Sequence, residues 1–271
     1  IQCHELAWET ALLITDIDFR MRIENELGRA SFRGDLNLEA LKYHYQVIEM
    51  GKNARNPEAL LELGYAYQGI GNLYKKYRTW DLAIDYFQTS QEYFNKIQDQ
   101  EGLAWNYQYI AESQEAMGNV DQALAYYHRS KETNKTVQSG RMAVINEIGI
   151  AHVLTHMDRL EAANGIMESL RPQIEASDQA DLKALYFTQF GWVLVQQQRF
   201  EQAEALLKKG LEISEENKLK TYQYDANTWL HDLWEDKGDF EKALRYYKKA
   251  IVLRTQVVNN EKLFAAFNTV A

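Results

Sequence analysis

The sequence predicts an all-α solenoid of helical hairpins, and three observations carry that reading. Alanine recurs every forty residues, at Ala83, Ala123, Ala163, Ala203 and Ala243. Other columns keep the same beat: bulky Trp80, Val120, Leu160, Phe200 and Phe240 stand three residues before each alanine. Phe87, Tyr127, Met167, Leu207 and Tyr247 stand four after it. Twelve before it come Gly71, Ala111, Ala151, Gly191 and His231, small in four of five cases. Within each period apolar residues are three and four apart, as in Tyr67, Ile70, Gly71, Tyr74 and then Trp80, Ala83, Phe87. That interval is helical, and a fixed period in this range marks a tandem array.

Residues 1–20 read as the remnant of a preceding repeat, with 1–14 (IQCHELAWETALLI) as the rear of its second helix. A weaker unit follows, in which Gly28 and Ala40 keep the spacing of twelve, with Leu27 before the glycine and Val47 seven after the alanine. Ala40 lies 43 residues before Ala83, so three residues are inserted there. Asn56-Pro57-Glu58 is a helix start, Asn as N-cap and Pro at the first helical position. From it, helices are expected at about 57–77, 81–97, 100–117, 121–136, 141–157, 161–176, 180–197, 201–216, 220–236 and 241–257. Gly118-Asn119 and Gly238-Asp239 supply turns before second helices, and Ser139 and Ser177 can cap later first helices. Pro172 should end or bend its helix. The array spans 21–257, and 258–271 begins a further apolar helix, EKLFAAFNTVA, leading out of it. Neither end carries the polar cap an array requires. The chain is therefore expected to be a piece of a longer protein, able to form a homodimer through its C-terminal end.

Composition removes several classes. With 271 residues at a net charge of −9, the chain lacks the basic surface that nucleic-acid binding needs. One cysteine, Cys3, excludes an internal disulfide framework and a Cys-based zinc site. No apolar run approaches a membrane span of about 18–20 residues. There is no HExxH, no glycine-rich phosphate loop and no GxSxG, so no catalysis is expected in this chain and no cofactor is implied.

The set Tyr67, Ile70, Gly71, Tyr74, Ala83, Phe87 resembles the tetratricopeptide repeat, and Leu230, Trp234, Gly238-Asp239-Phe240, Ala243, Tyr247 and Ala250 match it again. The resemblance covers six units and implies a right-handed superhelix. The period of forty is similar to the long-helix variant of bacterial regulators. The closing stretch GDFEKALRYYKKAIVLRTQVVNNEKL is similar to the last repeat of bacterial sensors of the diguanylate cyclase or histidine kinase type. His231 departs from the pattern where a small residue is expected, so the last unit should pack more loosely.

The resemblance also implies that certain positions of each first helix face a ligand groove. Carried onto this chain they are Arg22, Asn25, Arg29 and Arg33; Tyr65, Gln68, Asn72, Lys75 and Lys76; Trp105, Gln108, Glu112 and Glu115. They continue with Ile145, Ile148, His152 and His156; Leu185, Thr188, Trp192 and Gln196; Asp225, Thr228, Asp232, Glu235 and Asp236. In order, they run from basic through aromatic to acidic, which suits an extended peptide with an acidic and a basic end. Trp105, Trp192 and Trp229 would anchor it. Asn25, Arg29 and Asn72 are also similar to a carboxylate clamp, but Gln108 and Glu112 stand where the clamp needs cations. His152 and His156, four apart on one helical face, could hold a metal ion together with Glu112 and Glu115. Three functions stay open: a peptide-binding sensory module, an assembly scaffold, and a metal-dependent enzyme.

Overall fold

The computed structural model describes residues 16–258, with side chains as far as Arg254. Among the described residues there are twelve helices and no strands. They are α1 (Ile17–Arg33), α2 (Asn37–Gly51), α3 (Pro57–Lys76), α4 (Trp80–Ile97), α5 (Gln100–Ala116) and α6 (Val120–Val137). There follow α7 (Gly140–His156), α8 (Leu160–Glu175), α9 (Ala180–Gln196), α10 (Phe200–Glu216), α11 (Lys220–Asp236) and α12 (Phe240–Val258). They pair in order into six hairpins, three in each of two compact units. Unit 1 holds α1–α6 and unit 2 holds α7–α12. The segments 1–14 and 261–271 lie outside the described residues.

Each hairpin turns in three residues, and the middle one is always left-handed. Asp35, Arg78, Gly118, Asp158, Gln198 and Gly238 have φ of 61°, 58°, 81°, 58°, 58° and 74°. The third turn residue then reaches back five positions, as in Thr79 N–H to Tyr74 O at 3.0 Å and Arg199 N–H to Leu194 O at 2.9 Å. This pairing satisfies carbonyls that a helix end would otherwise leave open. Two helix starts follow the sequence. Asn56 accepts from Ala59 N–H at 2.8 Å with Pro57 leading α3, and Ser139 Oγ accepts from Met142 N–H at 3.3 Å. Ser177 is not the cap of α9: it accepts from Gln179 N–H at 3.1 Å, and the helix starts at Ala180. Pro172 does not end α8 either. The helix continues to Glu175, because in the last turn the bond that proline cannot donate is one of few remaining.

The repeated alanines are the helix crossings. Ala40, Ala83, Ala123, Ala163 and Ala203 are wholly buried and Ala243 nearly so. Twelve residues earlier, a Cβ on Gly28, Gly71 or Gly191 would stand 2.6 Å from the side chain sixteen residues on: His44, Phe87 or Leu207. A small residue there lets the two helices close. At His231 the ring instead meets Tyr247, centroids 5.1 Å apart, and Tyr247 is 47% exposed where its counterparts Phe87, Met167 and Leu207 are fully buried. Within each unit the first helices of successive hairpins touch, α1–α3–α5 in one and α7–α9–α11 in the other. Each set forms a continuous wall.

Candidate functional site

Helical spacing sorts the wall into columns forty residues apart, and these columns have different surroundings. Asn25, Gln108, Ile148 and Thr188 share one column and are all buried, because it faces the neighbouring hairpin. Asn25 is wholly enclosed: its Nδ2 donates to Glu62 O at 2.8 Å and Glu62 Oε2 at 2.7 Å, and its Oδ1 meets His44 Nδ1 at 3.1 Å. Burial, with Arg29 nearby, pushes the His44 imidazole down to about 3. Gln68, in the same column, donates to Asn106 Oδ1 at 2.9 Å. Asn25 and Gln68 therefore bond to neighbouring first helices, and Gln108 to Glu112 of its own helix. A 3.6-residue period gives a column but does not say whether a neighbouring helix covers it.

Three of the cations on this wall of unit 1 are also occupied. Arg29 pairs with Glu26 and lies 5.2 Å from the Tyr65 ring centre. Lys75 pairs with Glu112 and sits 4.5 Å above Tyr109, and Gln108 donates to the same carboxylate. Lys76 donates to Asp35 at 2.6 Å and Asn37 at 3.0 Å. The basic end of the supposed gradient is thus largely neutralised within the unit. Arg22 is exposed, Asn72 half-buried, and Trp105 is stacked on Tyr109 with centroids 5.9 Å apart.

Unit 2 presents a different wall. His152 of α7 lies 4.1 Å from Trp192 of α9 between ring centres, and Trp192 lies 6.0 Å from Trp229 of α11. His152 and Trp229 are 6.3 Å apart, and His156 stands 5.0 Å from both His152 and Trp192. Four rings from three successive first helices therefore form one cluster. Trp192 is its floor at 9% exposure, Trp229 and His152 are half-open, and His156 is exposed. Asp232 follows Trp192 in the same column and is half-buried. Desolvation raises its carboxyl above the usual range; His231 opposes this, and Glu235 and Asp236 add to it. The two histidines suggested as metal ligands belong to unit 2, whereas Glu112 and Glu115 belong to unit 1, where Glu115 accepts from the Tyr127 hydroxyl at 3.2 Å. The sequence reading missed His44, although it occupies the column of Phe87 and Tyr127, where a titratable ring signals a buried polar network.

This architecture is a helical-repeat fold. The tetratricopeptide repeat pattern matches residues 184–217, within α9 and α10 and the residue that follows. No curated protein matches the sequence. A Rap protein complexed with competence and sporulation factor is similar at a TM-score of 0.75 and 18% identity, over 96% of this chain and 71% of its own. NprR in complex with its cognate peptide NprX gives 0.72 and 17%, over 92% and 72%. Aspartyl phosphate phosphatase F from Bacillus subtilis gives 0.73 and 12%, over 90% and 62%. At such identities the likeness is one of fold.

Proposed function

We propose that this chain is a binding module that holds an extended peptide or protein segment against its wall of first helices. We further propose that it is the regulatory part of a larger bacterial signalling protein whose output comes from another domain. The observation that carries the reading is the cluster of His152, His156, Trp192 and Trp229. Aromatic groups left partly open on a rigid wall offer large contact area at little entropic cost, the usual character of an anchoring pocket. Structures of similar fold support it, since two were captured with peptides, NprX and the Phr* peptide, and another with competence and sporulation factor. No reaction in this chain and no cofactor are needed.

The test is selection of a random heptapeptide library on the purified chain, followed by calorimetric titration of the enriched peptides. His156→Ala and Trp229→Ala, both at open positions, should each weaken binding about tenfold. Enriched peptides that bind all three proteins equally would move the functional surface off this wall. An assembly scaffold is the second reading, and the outer row of α12 favours it. Phe240, Leu244 and Tyr247 are 70%, 51% and 47% exposed along one helix face. Under that reading light scattering would show self-association that Leu244→Lys abolishes.

A further inference from the structure

The columns of the two units contain the same corner twice, once filled and once open. In unit 1, Tyr109 and Glu112 sit three residues apart on α5, and Lys75 of the preceding first helix lies over the ring and on the carboxylate. Exactly three repeats on, a shift of 120 residues, the corresponding positions are Trp229 and Asp232 on α11, with Val195 of α9 in the place of the lysine. The ring is larger and the acid is retained, but the cation is gone. Val195 is buried at 2% exposure and brings no charge.

Resting on the peptide reading above, we infer that the Trp229–Asp232 corner, backed by Trp192 and His152, is a subsite for a basic side chain of the bound segment, an arginine or lysine. A cation over an indole face is held by the ring quadrupole, and a neighbouring carboxylate adds a charge-assisted hydrogen bond. Unit 2 shows the same chemistry internally: Lys242 and Lys237 lie 3.9 and 4.9 Å from Trp234, and Lys209 lies 4.0 Å from Phe187. Among the described residues no lysine or arginine lies so over Trp192 or Trp229. The surrounding charge agrees, for α11 adds Asp225, Glu235 and Asp236 to Asp232. A half-buried carboxylate among like charges is stabilised most by an incoming cation. Guanidinium fits better than ammonium, because its plane can lie on the indole while its edge meets the carboxylate.

The experiment uses the enriched heptapeptides from the selection. Peptides bound by the wild-type chain should carry Arg or Lys at one fixed position. Replacing that residue by citrulline, which keeps the shape and removes the charge, should weaken binding about tenfold. The same replacement should change affinity less than threefold in Asp232→Asn, a near-isosteric variant that keeps the fold. Val195→Lys, which would fill the corner from within, should lose the preference as well. If the selection yields no binding peptide, this inference fails together with the peptide reading. If peptides bind but show no basic position, or if citrulline costs the same in wild type and Asp232→Asn, the inference alone is overturned.

Discussion

Unit 1 and unit 2 are built from three hairpins each, yet the same positions hold different chemistry. In unit 1 the contacts between hairpins include buried polar ones: Asn25, His44 and Glu62 form a buried chain, and Asn106 donates to Ser90 Oγ at 2.8 Å and Phe87 O at 3.3 Å. In unit 2 the matching shell is apolar, with Tyr186, Phe187 and Phe190 enclosed on α9. Tyr186 Oη donates to Met167 O at 2.8 Å, eighty residues after the contact from Asn106 to Phe87, and Gln223 donates to Ser214 O at 2.7 Å. The polarity of the outer wall runs the same way. Unit 1 satisfies its own lysines, whereas unit 2 retains the acid and the ring without a partner lysine. A repeat can thus hold its geometry constant while one copy is specialised for holding itself together and another for holding something else.

The sharpest way to break this comparison is to mutate one column in both units. Asn25→Leu should cost about 3 kcal/mol, because it leaves the buried Glu62 and His44 without their partner. Thr188→Val, in the same column of unit 2, should change stability by less than about 0.5 kcal/mol or raise it. Its buried Oγ1 has no hydrogen-bond partner to lose. Urea denaturation followed by circular dichroism measures both, and equal costs would erase the distinction between the cores.

Acid should act on unit 1 through His44. Its folded value of about 3 lies below the ordinary 6.5, so the unfolded chain binds the proton first and stability falls as pH drops between those values. From pH 6.5 to pH 4.5 this amounts to about 2 kcal/mol. Glu24 and Glu62 work in the opposite sense, since burial raises both carboxyls and their contribution is lost as pH rises through the folded values. The net slope is therefore shallower than that of the histidine alone. His44→Phe, the residue of the matching Phe87 position, should remove the His44 component from a series of urea titrations. An unchanged slope would show that the acid sensitivity resides elsewhere.

The smallest effect concerns a feature common to both units. Gln198→Gly should stabilise by about 0.5 kcal/mol, because a left-handed side-chain residue is strained by about 1–2 kcal/mol and glycine returns part of that in unfolded-state entropy. Gly118→Ala should cost a similar amount in unit 1. Thermal melts in which Gln198→Gly lowers the midpoint, or Gly118→Ala raises it, would mean that the turns of the two units differ after all.

Helix positions were largely legible in the sequence, because six copies of one pattern correct each other's ambiguities. The ends of α4 through α12 lie within about two residues of expectation. The weaker readings were those that depend on a single residue. Ser177 lies two residues ahead of the true helix junction, and Pro172 sits where its missing donor matters little. The candidate site was half legible. His152 and Trp192 are visible as a column with His156 one turn on, and Trp229 joins them from the next hairpin. What periodicity could not supply was occupancy. It cannot show that Asn25 faces inward, nor that Lys75 is already engaged by Glu112 across thirty-seven residues.

The three-residue turns inside the hairpins never vary in length, whereas the joints between hairpins do. Five residues separate α2 from α3, two separate α4 from α5, four lie between α8 and α9, and three between α10 and α11. A tight turn whose middle residue is left-handed fixes how two helices cross, so an added residue would rotate one against the other. A joint between hairpins only has to deliver the chain to its next start, and its closure entropy grows slowly with length. The three extra residues between Ala40 and Ala83 fall in such a joint, 52–56. Growth by duplication can therefore splice at these joints without disturbing either neighbour. A gene could lengthen the wall by whole hairpins, and copy a filled or an open corner along with each one.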